Sequence, residues 1–257
     1  MHHPDSTRLN KAISDSGFCS RRQADGHIEK GQVTVNGEIA GLGDRVMPED
    51  VITVNGQLIT ENTNLVYIAL NKPVGITCTT DRRIEGNVVD FINHKERIFH
   101  IGRLDKPSEG LLLMTNDGDI VNKILRAGNS HEKEYVVKVD RPVTEDFLKR
   151  MRNGIPILDT ITKKCIVERL SRTTFKIILV QGLNRQIRRM CEYLGYEVLA
   201  LKRERIMNID LGDLTIGKWR DLTEKELDGL KGLLKDSGNT SFVDSLDKGT
   251  GGKRRRR

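Results

Sequence analysis

The sequence predicts an α+β fold, and three observations carry that expectation. Apolar residues alternate around Asn-Gly in VTVNGEIA (33–40) and again in ITVNGQLI (52–59), the pattern of tight two-stranded hairpins. Capped stretches with helical apolar spacing recur along the chain. They do not alternate steadily with the strand-like runs, as a parallel sheet with crossover helices would require. The expected division is a small domain over 1–60, a linker over 61–65, a larger domain over 66–235 and a disordered tail over 236–257.

Leu9, Ala12 and Ile13 fall at helical spacing, and Gly17 stands where that helix would stop. Ser20 and Gln23 form the capping-box pattern of a second helix, with Ala24 and Ile28 on one face and Gly31 at its end. The two hairpins then supply paired strands to pack beneath these helices. After the polar residues 60–65, VYIALNKPVG (66–75) begins an apolar strand ended by Pro73 and Gly75, with NKPVG itself reading as a turn. Residues 81–97 are polar apart from a short helix around 88–92. The compact apolar run 111–114 predicts a buried strand, and Asp117-Gly118-Asp119 opens a helix over 120–125. In HEKEYVVKV (131–139), Lys133, Tyr135, Val137 and Val139 share one face of a strand. Thr144, followed by Glu145 and Asp146, starts a helix carrying Phe147, Leu148 and Met151 up to Gly154. Strands follow at 163–169 and 174–180. Asn184 caps a helix that Gly195 stops, and Trp219 anchors a last strand before a closing helix near 225–234. From Ser237 onward Gly, Ser, Asp and Thr dominate, up to a run of five basic residues at 253–257, a composition that predicts disorder.

The formal net charge is +7, yet residues 1–60 hold six Lys or Arg against eight Asp or Glu. The positive charge therefore sits in clusters: Arg8, Lys11, Arg21 and Arg22; Arg185, Arg188 and Arg189; and the basic terminus. Nucleic acid is the leading partner class for such clusters. Arg21 and Arg22 lie in the first turn of a helix, where they work against the macrodipole. They either solvate that helix start or contact phosphate, and the second reading is favoured. Cys19, Cys78, Cys165 and Cys191 are too widely spaced for zinc ligation and read as reduced thiols of a cytoplasmic protein. No apolar run approaches the roughly 20 residues of a membrane-spanning helix, and the polar start lacks the apolar centre of a secretory signal. No surplus apolar helix face is evident, so the expectation is a monomer.

Two stretches carry candidate chemistry. In HIGRLDKPSEGLLLMTNDG (100–118), Arg103, Asp105, Lys106 and Glu109 lie in a charged loop bounded by Gly102 and Gly110 and hung on a buried strand. Asp105 is the candidate reactive group. In QGLNRQIRRMCEYLG (181–195), Ile187, Met190, Cys191 and Leu194 line one side of a helix. On that wheel Arg185, Arg189 and Glu192 point away, free for phosphate, while Arg188 falls on the flank, where its charge reaches a cleft beside the core. The segment reads equally as an ordinary amphipathic helix with a basic outer face.

The first sixty residues, with RLNKAISDSGFCSRRQADGHIEKGQVTVNG, resemble the RNA-binding module named after small-subunit ribosomal protein S-four. LNKPVG, GRLDKPSEGLLLMTNDG, EKEY and NRQIRRM, in this order behind such a module, resemble the pseudouridine synthases of the RsuA/RluB/RluF family, and the last two stretches are most similar to its RluF branch. The resemblance implies a mixed, mainly antiparallel catalytic domain that isomerises uridine in large-subunit ribosomal RNA, with transfer RNA as a second substrate. It makes Asp105 the nucleophile, Arg188 its ion-pair partner and Tyr135 the ring beside the target base. Arg103, Leu104, Lys106, Arg185, Gln186, Ile187 and Arg189 would contact the RNA around that base, and Arg8, Lys11, Arg21 and Arg22 its backbone. Pro107 departs from the family pattern, where a polar or acidic residue is more usual, and biases Lys106 toward extended backbone.

The residue types agree with such chemistry. A carboxylate in a water-poor pocket tends to take up a proton, and a neighbouring guanidinium opposes this. It can add to carbon 6 of uracil or carbon 1′ of ribose, or remove a ribose proton. Tyr135 can stack on uracil, or serve as a plain core tyrosine. A base inside folded RNA must be extruded, at roughly a few kcal/mol. No metal or organic cofactor is called for. The alternative from another class is a non-catalytic RNA-binding protein of ribosome assembly; an Asp-nucleophile phosphatase lacks a second carboxylate at suitable spacing.

Overall fold

The computed structural model describes residues 5–60, 62–125 and 131–235, so the tail expected over 236–257 lies outside the described residues. The described residues divide into two compact units: those up to Val66, with His94–Ile98 and Asn116–Gly118, form the first, and the other described residues form the second.

In the first unit, β1 (Thr7–Arg8) leads into α1 (Leu9–Asp15) and α2 (Arg21–Glu29). Ser20 and Gln23 close the reciprocal capping box of α2, as their spacing requires. β2 (Val33–Val35) and β3 (Glu38–Ile39) form the first hairpin, β4 (Arg45–Val46) pairs back with β1, and β5 (Ile52–Val54) and β6 (Gln57–Ile59) form the second hairpin. Asn36 and Gly37, like Asn55 and Gly56, all have φ between 51° and 88°, as a two-residue turn matched to the twist of a hairpin demands. The hairpins join through β2 and β5 into a sheet of order β3-β2-β5-β6. Leu9, Ile13, Ala24 and Ile28 of the helices share one core with Val33, Ile52 and Val54 of that sheet. Residues 62–66 carry neither helix nor strand.

The second unit opens with β7 (Tyr67–Lys72) and the short α3 (Val88–Ile92), then β8 (Phe99–Ile101) and β9 (Glu109–Thr115). Next come α4 (Gly118–Leu125), β10 (Lys133–Val139), and α5 (Glu145–Asn153) capped by Thr144. A minor hairpin of β11 (Pro156–Ile157) and β12 (Thr160–Ile161) precedes β13 (Ile166–Arg169) and β14 (Thr174–Leu179). α6 (Gln186–Tyr193), β15 (Val198–Ile206), β16 (Ile209–Asp210), β17 (Trp219–Asp221) and α7 (Glu224–Leu233) complete it. The main sheet has the order β13-β14-β10-β15-β9-β7-β17, with β16 beside β15 and β8 beside β9. Every pairing in it is antiparallel except that of β9 with β15. This is the α+β class that the order of elements predicts.

β15, absent from the sequence expectation, is the longest strand and sits at the centre of the sheet. It carries the charged run Lys202, Arg203, Glu204 and Arg205, in which Lys202 pairs with Glu204, Arg205 pairs with Glu132 and Glu134, and Arg203 is 2% exposed. Trp219 is the reverse case: it pairs with Leu70 at the sheet edge but stays 39% exposed, so β17 is held by backbone pairing with β7 rather than by a buried indole.

Two apolar clusters pack on the sheet. One gathers Val137, Phe147, Met151, Phe175, Ile177, Ile187 and Met190, and so unites β10, β14, α5 and α6. The other gathers Ala69, Leu111, Leu113, Ile120, Ile124, Ile206 and Leu230. β9 and β15 pass close to each other where they run parallel. Gly110 lies opposite Arg203 with φ of +104°, and a Cβ there would stand 2.3 Å from the Arg203 carbonyl oxygen. Gly110→Ala is therefore expected to lower stability by about 2–6 kcal/mol, since left-handed strain and overpacking each cost roughly 1–3 kcal/mol. Urea denaturation measures this, and a midpoint equal to that of the parent protein would contradict so close a pass.

Candidate active site

The loop between β8 and β9 is held from several sides. Gly102, with φ of +71°, turns the chain out of β8. Leu104 is buried, and its N–H donates to Cys78 Sγ at 3.4 Å. A tight turn follows in which Ser108 N–H donates to the Asp105 carbonyl at 2.9 Å, while the Lys106 carbonyl accepts from Gly75 N–H at 2.8 Å. Two backbone contacts and one buried side chain thus position the Asp105 carboxylate, which is one-third exposed.

α6 approaches this loop with its N-terminal arginines. Arg188 donates to the Val198 carbonyl at 3.1 Å, the Pro107 carbonyl at 3.2 Å and Ser108 Oγ at 3.1 Å. Its Nε lies 3.8 Å from Asp105 Oδ2, an ion pair too long for a hydrogen bond. Burial lowers the Arg188 pKa, Arg185 lowers it further, and Asp105 opposes both. Pro107 meets Arg188 through its carbonyl, which any residue provides, so the contact survives the departure from the family pattern.

The far wall comes from β10 and β15. Tyr135 stands opposite Arg203 in the register of these strands, with the guanidinium carbon 6.0 Å from the ring centroid. Arg203 Nε donates to the Leu111 carbonyl at 2.7 Å. Lys133 lies on the face of Tyr135, and burial, reinforced by Arg203, lowers its pKa to about 8. Beneath the loop, Lys72 is fully buried and donates to the carbonyls of Pro73 and Ile76. Burial lowers its pKa too, and Cys78 and then Asp105 oppose the shift.

The Asp105 loop, the start of α6 and the facing strands β10 and β15 line a cavity of about 290 Å³. Leu179, Ile187, Leu201 and Ile206, drawn from the edges of both apolar clusters, supply its apolar wall. Among the described residues lining it, Asp105 is the one acid, against Arg103, Lys133, Arg185, Arg188 and Arg203. The volume is near the lower end of the roughly 300–1,000 Å³ of small-molecule pockets, which suits one nucleoside swung out of a strand. Surplus positive charge around a single carboxylate suits a polyanion whose reacting centre needs a nucleophile or base. Among the described residues no group of His, Cys, Asp and Glu is clustered as a metal site.

The structure thus brings together Arg103, Leu104, Asp105, Tyr135, Arg185, Gln186, Ile187 and Arg188, which the sequence named from stretches far apart in the chain. Two expectations need correction. Arg185 does not point away: its NH1 also lies 3.8 Å from Asp105 Oδ2, because Arg185, not Asn184, is the helix cap. With φ of +50° it lies outside the helical wheel from which its direction was read. Arg189 is tied back to the carbonyl and side-chain oxygen of Asn184 and does not line the cavity; neither does the exposed Lys106. Leu104, Gln186 and Ile187 are 5–6% exposed and form part of the cavity wall, and Gln186 Oε1 accepts from Leu183 N–H.

In the first unit, Lys11 is paired with Asp15. Arg8 lines a cleft with Asp25, Glu29 and Asp44, which compete with phosphate for it. Arg21 and Arg22 are exposed in the first turn of α2. Sequence reasoning overlooked Lys72, Ser108 and Arg203 and gave Lys133 no part in the site. A signal existed for Lys72, inside LNKPVG, and for Lys133, two residues before Tyr135 on one strand face.

Comparison with known proteins agrees with the geometry. A family model described as RNA pseudouridylate synthase matches residues 66–193, and the S4 domain model matches residues 7–52. The dual-specificity RNA pseudouridine synthase RluF of Escherichia coli K12 is 60% identical over 237 residues, covering 91% of this chain and 82% of the relative. The ribosomal large subunit pseudouridine synthase B of Bacillus subtilis is 38% identical, covering 91% of this chain and 99% of the relative. A crystal structure of a pseudouridylate synthase superposes with a TM-score of 0.66 at 30% identity, over 87% of this chain and 99% of that one. With an S4 domain ahead of its catalytic fold, this chain belongs to the RNA pseudouridine synthases.

Proposed function

We propose that the enzyme converts uridine to pseudouridine in large-subunit ribosomal RNA, with a transfer RNA as second substrate, and that Asp105 is its nucleophile. The substrate reading is supported by the names of two relatives, one dual-specificity and one acting on the ribosomal large subunit. The observation carrying the role of Asp105 is its place as the one acid among the described residues lining the cavity. The reaction opens the bond between carbon 1′ and N1 with the electron pair going to N1. The uracil turns, and a bond forms between carbon 1′ and carbon 5. A proton leaves carbon 5 and N1 gains one. Asp105 serves this by addition to carbon 1′ or carbon 6, or by removal of a ribose proton, and Tyr135 by stacking on the base.

Residues 1–60 act as the RNA-binding domain and 66–235 as the catalytic domain of a cytoplasmic monomer. Arg21 and Arg22 hold phosphate, supported by their exposure in a helix turn where their charge does not help the helix. Arg103 and Arg185 line the cavity from exposed positions and guide the strand on either side of the flipped base, with Lys106 and Arg189 further out.

Three measurements test this. Asp105→Asn abolishes tritium release from RNA carrying 5-tritiated uridine while RNA affinity stays within about threefold; continued release would remove Asp105 from the chemistry. Arg188→Met slows single-turnover conversion about 100-fold and Arg185→Met about 10-fold, because Arg188 also ties down Pro107 and Ser108 and misplacing a reacting group by about 1 Å costs about that much. Equal losses would show that contact with the carboxylate alone matters. Changing Arg21 and Arg22 to Ala reduces the salt slope of RNA binding by about 1–2, with the rate at saturating RNA unchanged. An unaltered slope would assign both residues to solvation of α2.

A further inference from the structure

We propose that Lys133 and Arg203 form the subsite that holds the carbonyl oxygens of the target uracil and takes up the negative charge it acquires when the glycosidic bond opens. The inference rests on the reading that the flipped base enters the Asp105 cavity.

Both cations line that cavity, and no ion pair among the described residues engages either of them. Arg203 is 2% exposed, and its Nε is bonded to the Leu111 carbonyl, so the guanidinium is fixed in place. Its NH2 is buried and has no hydrogen-bond partner. A buried guanidinium donor left unsatisfied is costly, and a group that accepts from it when bound would remove that cost. Lys133 donates to the His131 carbonyl at 3.2 Å, one of the three bonds its ammonium can give. The two cations repel each other, since Arg203 disfavours the charged form of Lys133. An arrangement of like charges with spare donors, beside the face of Tyr135, is stabilised by an anion placed between them.

The reaction creates such an anion. When the bond between carbon 1′ and N1 breaks, the pair left on N1 spreads by conjugation to both carbonyl oxygens of the ring. The charge is neutralised when the carbon 5 pair bonds carbon 1′, and the proton that then leaves carbon 5 is matched by one gained at N1. Cationic donors fixed before the reaction bind this state more tightly than the neutral base of the ground state, which is the condition for accelerating a step. They also favour uracil over cytosine, whose amino group would turn a donor toward a donor. Phosphate is a poorer occupant of this subsite, because the exposed Arg103 and Arg185 meet the backbone first.

Lys133→Met tests the proposal, with Arg203 left alone because its Nε also supports β9. Single-turnover consumption of the N-linked nucleoside is followed by nuclease digestion and chromatography, on RNA carrying uridine or 5-fluorouridine at the target site. Fluorine withdraws electrons and makes the base a better leaving group that needs less help. Lys133→Met is expected to slow uridine about 100-fold but 5-fluorouridine by no more than about 10-fold, with RNA affinity unchanged within about twofold, and Lys133→Arg to stay within about fivefold of the parent enzyme. Equal slowing of both bases, no slowing, or a loss explained by weaker RNA binding overturns the subsite. If Lys133→Met shows no cooperative thermal transition, Lys133→Gln carries the same comparison. Failure of the parent enzyme to consume uridine, or full activity in Asp105→Asn, defeats the underlying reading of the cavity, separately from Lys133.

Discussion

The guanidinium of Arg188 joins the two halves of the reactive centre. It reaches from α6 to the Val198 carbonyl at the start of β15 and to Pro107 and Ser108 in the loop of Asp105, while its Nε faces that carboxylate. Each hydrogen bond to a charged donor is worth roughly 1.5–3 kcal/mol, so three of them offset much of the cost of burying the charge. The 3.8 Å separation from Asp105 is one that a shift of about 1 Å would close to a hydrogen bond. The carboxylate is thus positioned without being fully occupied, which leaves its oxygens open to a reacting atom.

The charge distribution follows from the sheet order. A parallel neighbour for β9 places the charged strand β15 in the middle of the sheet, beside β10. Arg203 is thereby carried under Tyr135, and Gly110 must lack a side chain for the backbones to pass. Cations that would be solvated on an edge strand become partly dehydrated walls of the cavity. Dehydration strengthens their effect on a nearby anion, because the surrounding medium screens it less than water does.

Much of this was legible locally. The capping residues Ser20 and Thr144, the two Asn-Gly hairpins and the short helix at Val88–Ile92 were all read from spacing, because a cap or a tight turn is settled by interactions within a few residues. Asp105 stood out for a similar reason: a charged loop between glycines, hung on an apolar strand, has few structural explanations. The direction of Arg185 was not legible, since a wheel assumes helical backbone and the left-handed cap conformation aims the side chain elsewhere.

The sequence by itself determined the α+β class, the local elements, the acid at the centre and, through its motifs, the family. Only the tertiary structure decided that Lys133 and Arg203 belong to the same cavity as Asp105, and that Arg185 and Arg188 share one carboxylate. The reason is one of range. Periodicity and capping act over a few residues, whereas the burial of a charge depends on which distant strand lies beside it.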